Sequence, residues 1–319
     1  MERGGEDPAP EAAARRDIET FTLLAELDWD QVLAEVGGKA PREYGPVLAN
    51  LPRWRGSSPF SFAELTEFYR ANGAGLFARH RAFLWEDGAL CPVEQPDCPG
   101  ADEMLGYELQ RNRVIANTRA MLEGNLVNNV LLYGDSGTGK SATVKNLLTL
   151  PGFEALRLIE VQKEGLADLP RLIRTLGGRR LKFILFIDDL AFDQDDKTYS
   201  ALKTILEGGL ERRPANVAVY ATSNRRRLVR QTFSDRAGDE VDASETIQEK
   251  TSLSDRFGLR IPYLALNQAE FLELVEGMAE QAGIALDRDS LRAEAVKWEM
   301  RNPGRTPRTA KQFIASLSL

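Results

Sequence analysis

Apolar residues recur along this chain with two different periods, and the change between them divides it. From residue 17 to about residue 100 the spacing is helical. Phe62, Leu65 and Tyr69 stand at i, i+3 and i+7, and Pro-Arg and Gly-Lys-Ala-Pro punctuation splits the stretch into segments. An N-terminal helical region over 17–100 is expected. Residues 1–16 are polar, rich in Ala, Glu and Pro, and read as a solvated, disordered tail. Pro92, Pro96, Pro99 and Gly100 make residues 91–102 the expected linker. Beyond it, four short apolar runs at 130–133, 158–161, 183–187 and 217–222 alternate with amphipathic stretches such as Val144, Leu147, Leu148 and Leu202, Ile205, Leu206. Strands buried on both faces and separated by helices predict a parallel α/β sheet over 101–263. From 264 to 319 only helical spacing remains, led by Phe271, Leu274, Val275 and Met278, and this is expected to be a small helical lid.

Composition narrows the chemistry. The 319 residues contain one histidine, His80, and two cysteines, Cys91 and Cys98. Zinc sites built on histidine and Ser-His-Asp or Cys-His nucleophile systems therefore have almost no raw material. The cysteines are separated by six residues in a proline-rich loop without a second ligand pair, so structural or incidental thiols are expected. The apolar runs are far shorter than the ~20 residues of a spanning helix, and the start lacks an apolar signal core, so a cytoplasmic protein with no membrane partner is expected. A net charge of -7 disfavours a globally basic nucleic-acid binder and leaves room only for a local basic patch.

The strongest motif follows the first apolar run. Gly134, Asp135, Ser136, Gly137, Thr138, Gly139, Lys140 and Ser141 fit G-x-x-x-x-G-K-[ST], the Walker A phosphate loop, and Ala142 continues into the helix. Such a loop points successive backbone N–H groups at nucleotide phosphates, and glycines permit the close approach. Lys140 is expected on the β- and γ-phosphates and the Ser141 hydroxyl on Mg²⁺. A phosphate loop needs a metal-holding carboxylate at the tip of a neighbouring buried strand. Residues 183–187 are five apolar residues ending in Asp188 and Asp189, a Walker B pattern that places Asp188 by the metal and Asp189 by the attacking water.

These motifs, followed by Tyr220-Ala-Thr-Ser-Asn224-Arg and Ser252-Leu-Ser-Asp-Arg256-Phe-Gly, resemble those of AAA+ P-loop ATPases over about residues 60–319. The paired aspartates and the box around Arg256 resemble the replication-initiator and helicase-loader branch, and the whole pattern is similar to an uncharacterised bacterial AAA+ family known as ATP-binding. The resemblance implies ATP and ADP as ligands with Mg²⁺ as cofactor, and ATP hydrolysis as the activity. It implies that Asn224 orients water as sensor 1, on a strand between the phosphate-loop strand and the metal-acid strand. Arg256 matches the arginine finger offered to a neighbouring subunit, with a surface pair to Asp255 as its alternative. Arg308 matches the sensor 2 arginine of the lid, with Arg305 and Lys311 as rivals, and Leu105-Gly106-Tyr107 resembles the segment that contacts adenine.

Two departures are visible. Many related ATPases carry Glu where Asp189 stands, one methylene longer. The stretch Val161-Gln-Lys-Glu-Gly165 lacks the aromatic pore-loop residue of unfoldases, which disfavours protein threading. Arg225, Arg226, Arg227 and Arg230 form either a solvated basic loop beside an interface or a phosphate contact, and residues 235–250, with six acids, read as a nucleotide-dependent switch or a solvated insertion. The leading expectation is an ATP-dependent homo-oligomer that remodels or loads a macromolecular partner, protein rather than nucleic acid. The alternatives are a switch that holds ATP with little hydrolysis, and a small-molecule kinase.

Overall fold

The computed structural model describes residues 8–39, 41–49, 61–191, 202–203, 205–206, 213–224, 253–302 and 304–317, and the chain divides into two compact units at Ala74. The first unit contains α1 (Pro8–Glu26), α2 (Trp29–Lys39), α3 (Gly45–Ala49) and α4 (Phe62–Asn72). Each start has a local cause. The Asp28 carboxylate accepts the Asp30 and Gln31 amides ahead of α2, and Ser61 with Glu64 forms a reciprocal capping box on α4. Residues 8–16, expected as part of the tail, are the first half of α1. Pro8 suits a first helical position, and Ala12, Ala13 and Ala14 are strong helix formers. Among the described residues before Gly73 no side chain is buried, and Phe21 and Leu23 are about two thirds exposed.

The second unit opens with α5 (Leu76–Arg79) and then the strands β1 (Ala82–Glu86) and β2 (Ala89–Pro92). It continues through α6 (Glu108–Leu122), β3 (Val130–Gly134), α7 (Lys140–Asn146), β4 (Leu156–Val161), α8 (Leu169–Leu176), β5 (Lys182–Ile187), β6 (Val217–Ser223) and β7 (Leu259–Tyr263). Three lid helices follow: α9 (Gln268–Gln281), α10 (Arg288–Arg301) and α11 (Pro307–Leu317). The strands form one sheet in the order β2-β1-β4-β5-β6-β3-β7, parallel throughout except for β2. All seven residues of β6 are buried. Side chains alternate between two cores: Leu131, Ile159, Leu185 and Val219 pack against α8 on one face, and Leu132, Ile184 and Tyr220 pack with Val144 and Leu147 on the other. A third core joins Phe271, Leu274, Val275 and Met278 to Leu291, Phe313 and Ile314. This is the expected α/β fold, a mostly parallel sheet with the phosphate-loop motif between β3 and α7, flanking helices, a C-terminal helical lid and a helical N-terminal region.

Three strands were not expected. Residues 82–92, read as helical arm and start of linker, form a hairpin that extends the sheet beyond β4. Asp87 and Gly88 both take positive φ, 48° and 72°, as a two-residue type I′ turn requires, so this Asp-Gly pair was the available signal. The third, β7, reads Leu-Arg-Ile-Pro-Tyr and, among the described strands, pairs only with β3. An edge strand tolerates Pro262 and an exposed Arg260, which hide its pattern.

The lid carries one charge cluster of consequence. Hydrogen bonds from Arg288 (2.9 Å) and then Arg292 hold the Glu276 carboxyl at about 2 rather than its ordinary 4.5. A carboxylate depressed on folding stabilises above its unfolded pKa and loses that contribution as pH falls from about 4.5 toward 2. Glu276→Gln should flatten the acid limb of the melting profile by ~1 kcal/mol or less, because both arginines are partly solvated. Thermal denaturation between pH 2 and 6 measures it, and identical pH profiles for variant and wild type would contradict it.

Candidate functional site

The loop between β3 and α7 is fixed from below by β7. A Cβ on Gly134, whose φ is 133°, would lie 2.2 Å from the Tyr263 carbonyl oxygen. The Asp135 amide donates to that same carbonyl at 2.9 Å, and the Asp135 carboxylate accepts the Ala265 amide at 2.7 Å. Gly134 and Asp135 thus anchor the loop rather than line the cleft above it. Gly134→Ala should cost ~3 kcal/mol or more, combining a backbone region open only to glycine with a clash against main chain. Gly152, at φ 82° with nothing within 4 Å, is the control. Its alanine variant should cost only ~1–2 kcal/mol. Denaturant titration compares the two, and equal losses would contradict the packing argument.

Above that anchor, Ser136, Gly137, Thr138, Gly139, Lys140, Ser141 and Ala142 line a cleft of about 690 Å³, within the range of small-molecule sites. The Lys140 ammonium is buried and donates to the carbonyls of Asp135 (2.6 Å) and Gly134 (3.2 Å). Burial pulls its pKa below the ordinary lysine value, while Asp135, Asp189 and Asp188 oppose that pull. The Ser141 hydroxyl donates to Asp188 at 2.6 Å, so the two expected metal residues are brought together. A hydroxyl and a carboxylate are the hard oxygen donors that Mg²⁺ takes. Among the described residues no group of three or more His, Cys, Asp or Glu is placed to hold a metal. A pair of protein oxygens fits an ion that keeps waters and binds substrate phosphates, as Mg²⁺ does.

The tips of β5 and β6 complete this end. Asp189 has φ 49°, and its amide donates to Thr222 Oγ1 (2.9 Å) and Asp188 Oδ1 (3.1 Å). Asn224 donates from its amide nitrogen to Asp189 at 2.8 Å. β6 lies between β5 and β3, which places Asn224 at the tip of the strand where the sequence reading put it. From the lid, Arg308 reaches the same cleft: its amide donates to the Gly137 carbonyl at 3.2 Å, and its guanidinium contacts Ser136 Oγ at 3.4 Å. Of its rivals, Lys311 also lines the cleft one helical turn on, whereas Arg305 is turned onto Glu299 at 2.7 Å. Leu105, Gly106, Tyr107 and Met278 also line the cleft. Tyr107 takes φ 54° and stacks on Tyr263 with centroids 5.1 Å apart. Its hydroxyl donates to the Leu264 carbonyl at 2.6 Å, and burial first, then Asp135, raises its pKa.

Arg256 is not in this cleft. It precedes β7, at the opposite end of the sheet from the loop, and five strand residues separate the two ends by about 16 Å. Asp255 is engaged by Arg260 at 2.6 Å. Arg225, Arg226, Arg227, Arg230 and the acidic stretch 235–250 lie outside the described residues. Cys91 and Cys98 are half-buried free thiols, and burial pushes the Cys98 thiol up. The stretch after β4 without a pore-loop aromatic folds into a 3-10 helix, Lys163–Asp168, whose Gly165 packs on Trp85.

Of the cleft residues outside the expected set, three make contacts that shape it. Thr222, at the end of an apolar run and two residues before Asn224, was a signal that went unused. Arg111 donates to the Gly106 carbonyl one helical turn after Tyr107. Tyr263, whose hydroxyl bonds Thr143 at 2.9 Å and whose pKa burial raises to about 12, was hidden with its strand.

Among solved structures, the chain is similar to Thermotoga maritima RuvB, described as a Holliday junction branch migration motor. Identity is 17% and the TM-score 0.43, with 69% of this chain and 63% of that chain covered. An alanine-to-serine variant of that protein gives 17% identity and a TM-score of 0.43, covering 69% of this chain and 64% of that one. The chain thus spans a little under two thirds of the structures it matches. No curated protein matches it. Residues 78–318 match a family described as "Protein of unknown function (DUF815)". That match takes in well over half of the chain, with the hairpin, the phosphate loop and the lid, and the chain belongs to this family.

Proposed function

We propose that this protein is a Mg²⁺-dependent ATPase of the AAA+ type that assembles with copies of itself when ATP is bound and acts on a macromolecular partner. The observation that carries the reading is the single cleft in which Lys140, Ser141, Asp188, Asp189, Asn224 and Arg308 converge from the loop, two strand tips and the lid. Ser141 and Asp188 would hold Mg²⁺, which when bound neutralises charge on the β- and γ-phosphates. The loop amides and Lys140 would hold the phosphates, Arg308 would couple the lid to them, and Asn224 would aim Asp189 at the attacking water. Leu105, Gly106 and Tyr107 would receive the base. Phosphoryl transfer needs positioning more than covalent chemistry, which suits a chain with one histidine.

The position of Arg256 supports self-assembly, since it lies too far from its own chain's cleft to serve there and would act on a neighbour. The likeness to replication-initiator and helicase-loader proteins rests on the paired aspartates and the box around Arg256, and a protein partner fits the acidic net charge better than nucleic acid. Among the described residues no helix is long and apolar enough to cross a membrane, and we place the protein in the cytoplasm. Light scattering with and without a slowly hydrolysed ATP analogue tests this reading. Growth of the particle with the analogue is expected, and a monomer under both conditions would overturn it. A second reading, an ATP-held switch with little turnover, is favoured by the hold of Asn224 on a short Asp189. Tight ATP binding with near-zero single-turnover cleavage would select it.

A further inference from the structure

One buried hydroxyl touches both acids of the cleft, and the sequence motifs assign it no role. Thr222 is 2% exposed, at the tip of β6. Its Oγ1 donates to Asp188 Oδ1 at 2.5 Å and accepts the Asp189 amide at 2.9 Å. A hydroxyl has one proton and two lone pairs, so both contacts can be made at once with the proton on the carboxylate side. The Thr222 carbonyl also accepts the Leu190 amide at 2.7 Å, and the Ser223 hydroxyl donates to the Leu190 carbonyl at 2.8 Å. The turn after β5 is therefore clamped to β6 at four points around one residue.

We infer that Thr222 is a positioning residue that sets the geometry of the metal carboxylate and the water-directing carboxylate together. The inference rests on the ATPase reading above. Asp188 Oδ1 accepts from Ser141, Thr222 and the Asp189 amide. Three donors on that one oxygen hold the carboxylate in place at the cleft that Asp188 lines. Were Ser141 to hold a metal ion instead, the Thr222 hydroxyl would remain as a donor to Oδ1. The same hydroxyl fixes the Asp189 amide while its φ stays at 49°, a conformation uncommon for a non-glycine residue. That backbone turn sends the Asp189 carboxylate to Asn224. A hydrogen-bonded partner behind a metal ligand typically accounts for 10- to 100-fold in metal affinity or activity.

Thr222→Val keeps the shape and removes both contacts, and Thr222→Ser keeps the hydroxyl. The test measures the Mg²⁺ dependence of binding of a fluorescent ADP analogue, together with kcat and KM for ATP at saturating Mg²⁺. In Thr222→Val the Mg²⁺ concentration for half-maximal effect should rise about 10-fold or more and kcat should fall 10- to 100-fold. Its affinity for the analogue without Mg²⁺ should stay within about threefold, which a folding defect would not spare, and Thr222→Ser should restore the wild-type Mg²⁺ dependence. An unchanged Mg²⁺ dependence in Thr222→Val, beside a normal wild type, would overturn the role of Thr222 alone. Absence of any Mg²⁺ effect in the wild type would overturn the ATPase reading and this inference with it.

Discussion

Replacing Arg256 with alanine should lower steady-state ATP hydrolysis by about 10³-fold or more while nucleotide affinity stays within about threefold. A cation inserted against the transferring phosphoryl group is worth 10³ to 10⁵ in rate, and it acts on charge that develops in the transition state. In the assembly proposed above, Arg256 would do that work between chains. It stands at the N-terminal end of β7, whereas Gly134, Lys140 and Asp188 gather at the C-terminal ends of β3 and β5. The residues around it hold the segment in place: Leu253 and Phe257 are buried, and Asp255 is tied to Arg260. Paired measurements of ATP turnover and fluorescent-nucleotide affinity decide the matter. Full turnover in the variant would remove the shared-site account, and equal losses of binding and turnover would indicate a structural role instead.

The second large effect is expected at Lys140. Its ammonium is buried and desolvated, with the carbonyls of Asp135 and Gly134 as its contacts. Lys140→Ala should weaken ATP affinity by about 10²-fold or more, since truncating one partner of a buried, hydrogen-bonded charge pair costs about 2–5 kcal/mol of binding. The unliganded stability should change little, because a costly buried cation leaves together with the hydrogen bonds that hold it. These two effects separate in one experiment. At a nucleotide concentration 100 times the wild-type Kd, bound ligand stabilises wild type by ~2.7 kcal/mol, and a 100-fold weaker variant gains only ~0.4 kcal/mol. Melting curves with and without ATP and Mg²⁺ read this difference. A variant that keeps the full ligand-induced shift would show that Lys140 does not meet the phosphates.

The sequence made the inner part of this molecule legible because burial there is two-sided. Residues 183–187 and 217–221 are unbroken apolar runs, as strands covered on both faces should be. At the margins of the sheet that rule fails. β7 is an edge strand with Arg260 and Pro262 in it, and β1 with β2 alternates too briefly to outweigh the helical spacing around Phe62. The phosphate loop was legible for a different reason. It needs glycines at positive φ, which Gly134, Gly137 and Gly139 supply, and few other structures require that pattern. Arg308 and Arg305 could not be separated by spacing alone. They part because α11 begins at Pro307, so that the Arg308 amide meets the Gly137 carbonyl while Arg305 remains in the preceding turn with Glu299. Thr222 and Tyr263 act through contacts between segments 34 and 120 residues apart, which no local pattern announces.

The central claim, an ATPase site completed by a second copy of the chain, is tested most directly by mixing two inactive variants. Arg256→Ala keeps a complete phosphate loop but offers no finger, and Lys140→Ala offers a finger but binds nucleotide poorly. In a head-to-tail assembly, equal mixing places an intact loop against an intact finger at about one quarter of the interfaces. ATP turnover in the mixture should then recover to about that fraction of wild type, although each variant alone is silent. A mixture as inactive as its components, under conditions where both still co-assemble by light scattering, would contradict the account.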